Sequence, residues 1–253
     1  MLNKFVIYIP AYNAAQTLPL VLSRIPADIK SQVAEILIVD NASPDNTNLV
    51  ALELKEKENL ANLNVIRNPK NVGYGGSQKI AYDYCIQKGY SGVAMLHGDA
   101  QYAPELLWTL MRSIAAGESD LVFGSRMKGD PLAGGMPLIR FLGNRVLTTM
   151  QNWFLGVNLS EFHSGYRVYS VDALKKVPYQ RLSSDYHFDT EIIILFIKYK
   201  LRISEVPIPT HYGDEENYVN IWKYGLDVLW TSVTYFLFKN RIYSKSHWAD
   251  ILG

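Results

Sequence analysis

From Glu35 to Leu60 the chain reads "EILIVDNASPDNTNLVALELKEKENL". The apolar run Ile36 to Val39 stops on Asp40, and turn formers fill Asn41 to Asn46. An amphipathic helix follows from about Thr47. The run is continuous rather than alternating, which fits a strand of a parallel sheet buried on both faces. The same unit recurs in both directions. Upstream, "FVIYIP" is a strand and "TLPLVLSRI" a short helix. Downstream, "LNVIRN", "GVAML" and "DLVFGSR" are strands. Between them lie the helices "GGSQKIAYDYCIQKG", stopped by Gly89, and "PELLWTLMRSIAAG", opened by Pro104. This alternation predicts an α/β fold, a Rossmann-like, mostly parallel central sheet with helices on both faces. Functional residues are then expected at the carboxyl ends of the strands. The second half is less regular. Helices are expected over "LIRFLGNRVLTTMQNWFLG", "FDTEIIILFIKYK" and "NIWKYGLDVLWTSVTYFLFKNR", and strands over "SGYRVYS" and "LRISEVPIPTHY". The chain thus divides into a sheet domain, 1–212, and a C-terminal helical arm, 213–253.

Composition narrows the classes. With 253 residues and 48% hydrophobic content the chain can bury one large core. A net charge of +1 leaves no electrostatic footprint for nucleic acid. Cys85 is the single cysteine, so no internal disulfide forms and a reducing, cytoplasmic setting is expected. "MLNKFVIYIPAYN" reads directly as a strand, without the features of a signal peptide. No apolar window reaches the roughly 18 residues of a spanning helix. In the arm, Lys239, Arg241 and Lys245 follow an apolar run rich in aromatic residues. Such a helix packs on the domain or on a second subunit, or lies at the inner face of a membrane, where aromatic and basic side chains suit the headgroups.

The strand ends carry the chemistry. The first ends at Pro10, after which Tyr12 and Asn13 face whatever lies above the sheet; an ordinary turn with Asn13 as a helix cap is the plain alternative. Asp40 ends the second, where a carboxylate can accept the N–H groups of uracil or guanine. Cap and turn chemistry accounts for Ser43 to Thr47. Gly73, Gly75 and Gly76 permit close backbone approach at a helix N-terminus, a place that favours anions. In "VAMLHGDAQYAPELL", Val93 to Leu107, the strand ends on His97, Gly98, Asp99 and Gln101. Asp99 and Gln101 offer hard oxygen ligands. Completed by diphosphate oxygens, they suit Mg²⁺ or Mn²⁺.

In order and spacing these elements resemble family 2 glycosyltransferases of the GT-A fold. Within the family the chain is most similar to the polyprenyl-phosphate (dolichyl-phosphate) mannose and glucose synthases. The resemblance runs from about residue 4 to 212, through "IPAYNAAQTL", "EILIVDNASPDNT", "RNPKNVGYGGSQKIAY", "HGDAQYAPELL", "DLVFGSR", "HSGYRVYS", "FDTEI" and "EVPIPTHY". It implies a UDP- or GDP-hexose donor, a divalent metal, and inverting transfer to a polyprenyl phosphate or a glycan hydroxyl. By resemblance, Pro10, Ala11, Tyr12, Asn13 and Asp40 line the base and ribose pocket. Gly73, Gly76 and Lys79 border the nucleotide, and Arg126 contacts its phosphates. Asp99 and Gln101 take the metal-ligand positions of the family's acidic motif, and His97 stands where the family commonly has its first Asp. His97 then ligates the metal, contacts the donor, or serves only as a polar residue at a strand end.

On the acceptor side, "EFHSGYRVYS" resembles the family's Asp-x-x-Ser-Gly-Phe-Arg, with Glu161 at the Asp position and Ser164 and Arg167 matched directly. Arg140 and Arg145 are candidates for an acceptor phosphate, since arginine pairs bidentately with it. A hydroxyl acceptor needs a general base; a phosphate acceptor, already an anion, needs little or none. Glu161, Asp189 and Glu191 are the base candidates, with Glu191 favoured over Asp189 by similarity because the two lie on different helix faces. Polyprenyl-phosphate synthases usually carry a basic loop where this chain has Asp214, Glu215 and Glu216. That substitution favours a glycan hydroxyl. Two other readings compete. A sugar nucleotidyltransferase needs a basic glycine-rich loop after the first strand, which "IPAYNAAQ" lacks. A degenerate nucleotide-sugar-binding or scaffold protein finds its argument in His97.

Overall fold

The computed structural model describes residues 2–210, 220–242 and 246–252. The first half alternates β1 (Phe5–Ala11), α1 (Leu18–Arg24), α2 (Ala27–Gln32), β2 (Glu35–Asp40), α3 (Thr47–Lys57), β3 (Leu63–Arg67), α4 (Tyr74–Gln87), β4 (Gly92–Met95), α5 (Leu107–Ala115) and β5 (Leu121–Ser125). The second half adds α6 (Leu138–Leu155), β6 (Arg167–Ser170), α7 (Val171–Leu174), α8 (Phe188–Lys198), β7 (Ile203–Pro207), α9 (Ile221–Lys239) and α10 (His247–Leu252). The seven strands of the described residues form one sheet in the order β3-β2-β1-β4-β6-β5-β7. Neighbours pair parallel except at β6, which runs antiparallel to both β4 and β5. The expected sheet and its covering helices are present. The reversed strand and the short helix α2 were not foreseen.

Strand alternation sorts the apolar residues into two cores. Val6, Tyr8, Leu37, Val39, Val93 and Met95 face the side covered by α4 and α8. Phe5, Ile7, Ile9, Ile36, Ile38 and Ala94 face the side covered by α1 and α5. Both faces of each central strand are therefore buried, which is why their sequences read as unbroken apolar runs.

Topology fixes the site. The chain runs outward from β1 through β2 to β3 and then crosses back to β4 on the other side of β1, so a crevice opens above the carboxyl ends of β1 and β4. Because β6 is reversed, its first residue, Arg167, pairs with Met95 at the end of β4. The segment preceding β6, 161–166, is thereby delivered to the same edge.

The C-terminal helices complete the fold. α9 packs against α6 and α8, and α10 packs against α9. Tyr235 and Trp248 join the core that holds Phe188 and Ile192. The Trp248 indole N–H donates to Thr231 O and Thr234 Oγ1, both at 3.3 Å. The outward faces of α6 and α9 remain apolar, with Ile139, Val146 and Trp153 on one and Trp222, Leu226 and Trp230 on the other. No helix among the described residues is long and apolar enough to cross a membrane. Trp248→Ala should lower unfolding stability by about 3–5 kcal/mol in urea melts, the cost of emptying a buried indole site. A loss below about 1 kcal/mol would show that α10 is not integral to the core.

Candidate functional site

The ends of β1, β2 and β4 lie side by side. Ala11 pairs with Asp40, and the Gly98 N–H donates to Pro10 O at 3.3 Å. Each strand leaves through a residue in the left-handed region: Asn13 (φ 53°), Ala42 (φ 57°) and Ala100 (φ 63°). For residues with a Cβ this costs roughly 1–2 kcal/mol each, so the turns are held by their surroundings. Asn13 N donates to Ser43 Oγ at 3.2 Å, and Gln101 N to Asp99 Oδ1 at 3.1 Å. Pro10 and Ala11 form the rim of β1, while Tyr12 and Asn13 are exposed beyond it.

Asp40 is fully buried. Its Oδ1 accepts from Ser43 N at 2.9 Å. Its Oδ2 has no hydrogen-bond partner, although the half-exposed Arg67 guanidinium lies 3.5 Å away. Asn41, expected only as a turn former, ties this end to the next loop: its Oδ1 accepts from Asn68 Nδ2 and Val72 N, both at 3.0 Å.

The glycine loop behaves differently from expectation. Gly73 (φ 81°) opens α4, but the N–H groups of Gly75 and Gly76 both point at Ser184 O, at 2.9 and 3.4 Å. A Cβ on Gly75 would lie 2.7 Å from Ser183 O. The close approach is made by the protein's own 183–184 segment, which occupies the helix N-terminus reserved above for an anion. Lys79 holds the same segment, donating to Leu182 O and Ser184 Oγ.

His97 sits in a cage. Its ring stands edge-on to Tyr74 and Tyr102, with centroids 5.8 and 5.1 Å away. A Cβ on Gly165 would lie 2.5 Å from His97 Nε2, so only glycine fits there. Nε2 lies 3.2 Å from Tyr74 Oη, and Nδ1 faces Asp99 Oδ2 at 3.8 Å. Burial alone would raise the Asp99 carboxyl; the neighbouring imidazole and the Gln101 N–H outweigh it and hold the pKa below its ordinary value. Asp99 is the most open of the cluster, with 44% of its side chain exposed.

Asp189 and Glu191, of which resemblance prefers Glu191 as a base, face different surroundings. Both lie in the first turn of α8, and two residues of helix separate their side chains by roughly 200°. Asp189 faces His97's neighbours, accepting from Tyr74 Oη at 3.0 Å and Gln78 Nε2 at 3.1 Å. Glu191 turns away into a cavity of about 530 Å³ between α8, α9 and α10, where it accepts from Ser183 N and meets His247. Arg167 and Ser164, assigned by resemblance to the acceptor side, are fully buried. The Arg167 guanidinium is engaged by Ser164 O, Phe162 O, Asp189 O, Tyr169 Oη and Asp189 Oδ2.

Glu161 is buried and saturated. It accepts from the backbone N–H and the guanidinium of Arg126, and from Asn144 Nδ2 at 2.9 Å. Burial raises its pKa, but the Arg126 charge and these hydrogen bonds prevail, and the carboxyl stays below its ordinary range. Arg126 is therefore committed to Glu161. Arg140 is partly buried on α6, and Arg145 lies exposed with its guanidinium 5.8 Å from the centroid of the Phe141 ring. The acidic residues 214–216 and Lys245 lie outside the described residues.

The profile of the family described as "Glycosyl transferase family 2" matches residues 6–178. The chain belongs to that family. It is 29% identical over 207 residues to the polyprenol monophosphomannose synthase of Mycolicibacterium smegmatis, covering 81% of this chain and 77% of the relative. It is 27% identical over 234 residues to the undecaprenyl-phosphate mannosyltransferase of Micrococcus luteus, covering 88% and 94%. Its fold matches glucosyl-3-phosphoglycerate synthase from Mycobacterium tuberculosis, a structure holding Mn²⁺, UDP and glucosyl-3-phosphoglycerate, with a TM-score of 0.65 and 15% identity over 92% of this chain and 79% of that one. The protein is a family 2 glycosyltransferase with the GT-A architecture of its structural neighbours.

In this family 2 glycosyltransferase the residues missed from sequence are the ones that orient the recognised residues. Tyr74 and Gln78 lie in "RNPKNVGYGGSQKIAY" and Tyr102 in "HGDAQYAPELL", in which they are assigned no role, and Asn144 lies outside every matched element. A pH prediction follows from Glu161. Its folded pKa is lowered, so the stability it contributes is present above the ordinary value of about 4.5 and is lost as pH falls through the folded value. Glu161→Gln should cost about 3 kcal/mol at pH 7, since it strands the mostly buried Arg126. The gap to the wild type in urea midpoints should close as the pH is lowered below 4.5. A gap that stays constant down to pH 3 would refute the assignment.

Proposed function

We propose that the protein transfers a hexose from a UDP- or GDP-sugar to a polyprenyl phosphate, with inversion at the anomeric carbon and with a divalent ion, Mg²⁺ or Mn²⁺, at Asp99 and Gln101. The observation that carries the acceptor assignment is the state of the candidate bases. Glu161 is saturated by Arg126 and Asn144, Asp189 by Gln78, Tyr74 and Arg167, and Glu191 faces another cavity. None of the three is placed to take a proton from a glycan hydroxyl. A phosphate monoester needs no such base, because its oxygen is already anionic.

The donor chemistry fits the strand ends. No group of three or more His, Cys, Asp or Glu among the described residues is arranged to hold a metal by itself. Asp99, half exposed, and Gln101 therefore supply a part-set that diphosphate oxygens would complete. When bound, the ion neutralises the departing nucleoside diphosphate. Asp40 Oδ2 is a buried acceptor without a partner, and a base N–H that displaces Arg67 would satisfy it. In the transfer, an acceptor phosphate oxygen attacks the anomeric carbon from the face opposite the diphosphate. The bond to the diphosphate oxygen breaks, and that oxygen leaves with the electron pair. The apolar outer faces of α6 and α9, with Arg140 and Arg145 on α6 and Lys239 and Arg241 at the far end of α9, support docking on the surface of the lipid layer that holds such an acceptor.

Labelled-hexose transfer into an extractable polyprenyl phosphate tests the reading. Asp99→Asn should reduce it by roughly a hundredfold or more, as expected when several kcal/mol of charge stabilisation is lost. Transfer to glycan hydroxyls with none to the lipid phosphate would overturn the acceptor. Trp222→Ser combined with Trp230→Ser should weaken sedimentation with anionic phospholipid vesicles while leaving the urea midpoint within about 0.5 kcal/mol, since both side chains are exposed. Unchanged vesicle binding would refute the docking face.

A further inference from the structure

We propose that the cavity between α8, α9 and α10 is a binding site in its own right, and that it takes a small organic ammonium compound. The site lies apart from the strand ends and does not rest on the transferase reading above.

The cavity measures about 530 Å³, a size that encloses a small molecule. Three polar atoms on its wall make no hydrogen bond among the described residues. Glu191 is 2% exposed, and its Oε2 accepts from Ser183 N at 2.7 Å. Its Oε1 has only His247 Nε2, at 3.4 Å, an ion pair only when that imidazole is protonated. Thr231 is 4% exposed. The hydroxyls of Ser232 and Thr234, beside it on α9, turn back onto the helix and donate to Val228 O at 2.8 Å and Trp230 O at 2.9 Å. Thr231 Oγ1 makes no such bond, although the residue lines the cavity. His187 Nδ1 is enclosed and likewise without a partner. Buried polar groups are almost always hydrogen-bonded, so three unsatisfied atoms on one wall mark a place for a ligand that completes them.

Charge selects the ligand. Three carboxylates, Glu191, Asp227 and Asp250, line the cavity against one guanidinium, Arg181. Arg181 Nη1 is engaged by the carbonyls of Asp250 and Ile251, at 2.9 and 3.4 Å. Asp227 pairs with Lys223 at 2.9 Å, where both are open to water. Lys79 also feels the Glu191 charge, but its ammonium is bound to Leu182 O. A carboxylate oxygen and a hydroxyl oxygen accept hydrogen bonds, and so does an imidazole nitrogen that carries no proton. An ammonium group supplies N–H donors to such a set and brings the positive charge that strengthens each bond. No group of three or more His, Cys, Asp or Glu among the described residues is arranged to hold a metal ion, which separates this site from an inorganic cation site. Trp230 lines the same cavity and is largely exposed, so an indole stands at the opening for an alkylammonium to pack against.

The test is titration calorimetry of the whole protein with putrescine, with tetramethylammonium, and with the uncharged diol of putrescine's length. Putrescine should bind one to one, tetramethylammonium more weakly because it has no N–H to donate, and the diol not at all. Glu191→Gln should weaken putrescine by about tenfold or more, and Thr231→Val by about fivefold, the losses expected for a charged and a neutral hydrogen bond. Displacement of putrescine by vesicles of phosphatidylethanolamine, but not of phosphatidylcholine, would assign the amine to a lipid headgroup; no displacement would assign it to a soluble compound. Absence of putrescine binding overturns the site. Equal binding of the diol overturns the ligand class. Binding that survives Glu191→Gln unchanged would place the amine on surface charge instead of in the cavity. Where Glu191→Gln folds poorly, Thr231→Val and the wild-type comparison of putrescine with the diol decide.

Discussion

A guanidinium without solvent lies at the centre of the molecule. Ionising Arg167 in the interior costs several kcal/mol unless its neighbours return it. Burial works against the charge, but Asp189 and the surrounding oxygens hold the proton in place. That requirement dictates much of the local architecture. The carbonyls of Phe162 and Ser164 must turn inward to meet the guanidinium, which shapes the segment leading into β6. Asp189 must stand at the start of α8, which aligns that helix with the carboxyl edge of the sheet. Asp189 in turn fixes Tyr74, and Tyr74 meets His97. A charge under the sheet's edge thus sets the orientation of a ring at the cleft.

The reversed strand makes this possible. Were β6 parallel, Arg167 would emerge at the opposite edge, and Glu161 would lie far from Arg126. Running antiparallel, it places Arg167 beside Met95 at the end of β4 and beside Phe123 midway along β5. Each carboxylate near the edge then acquires a fixed partner. Glu161 has Arg126, Asp189 has Arg167, and Asp99 alone among them is left half exposed. At Glu161 this partnering depresses basicity and suits positioning more than proton transfer.

How much of this was legible depended on whether a residue speaks through its own strand. Asp40, Asp99 and the apolar runs before them could be read directly, because a buried parallel strand leaves an unbroken pattern and ends where polarity begins. Long-range partners left no such trace. Gly75 looked like a place for an anion, yet the close approach is Ser183 and Ser184, more than a hundred positions later in the chain. Arg167 was placed on the acceptor side by resemblance, and nothing in "SGYRVYS" tells that its strand is reversed and its side chain enclosed. Asp189 and Glu191 could be separated by helix geometry, but which of them faced the cleft depended on how α8 docks.

Two features that look unrelated converge on the acceptor. The saturated carboxylates suit a nucleophile that arrives without a proton to lose. The exposed Ile139, Val146 and Trp153 of α6, with Trp222, Leu226 and Trp230 of α9, make an apolar surface that water covers poorly. A soluble glycan would require a base and would leave that surface unused. On the proposed reading a lipid carrying a phosphate would account for both, its head supplying the anionic oxygen and its layer the cover. The helices that close the sheet on one side would then also bring the cleft to the acceptor, so that packing of α9 on α6 serves stability and delivery together.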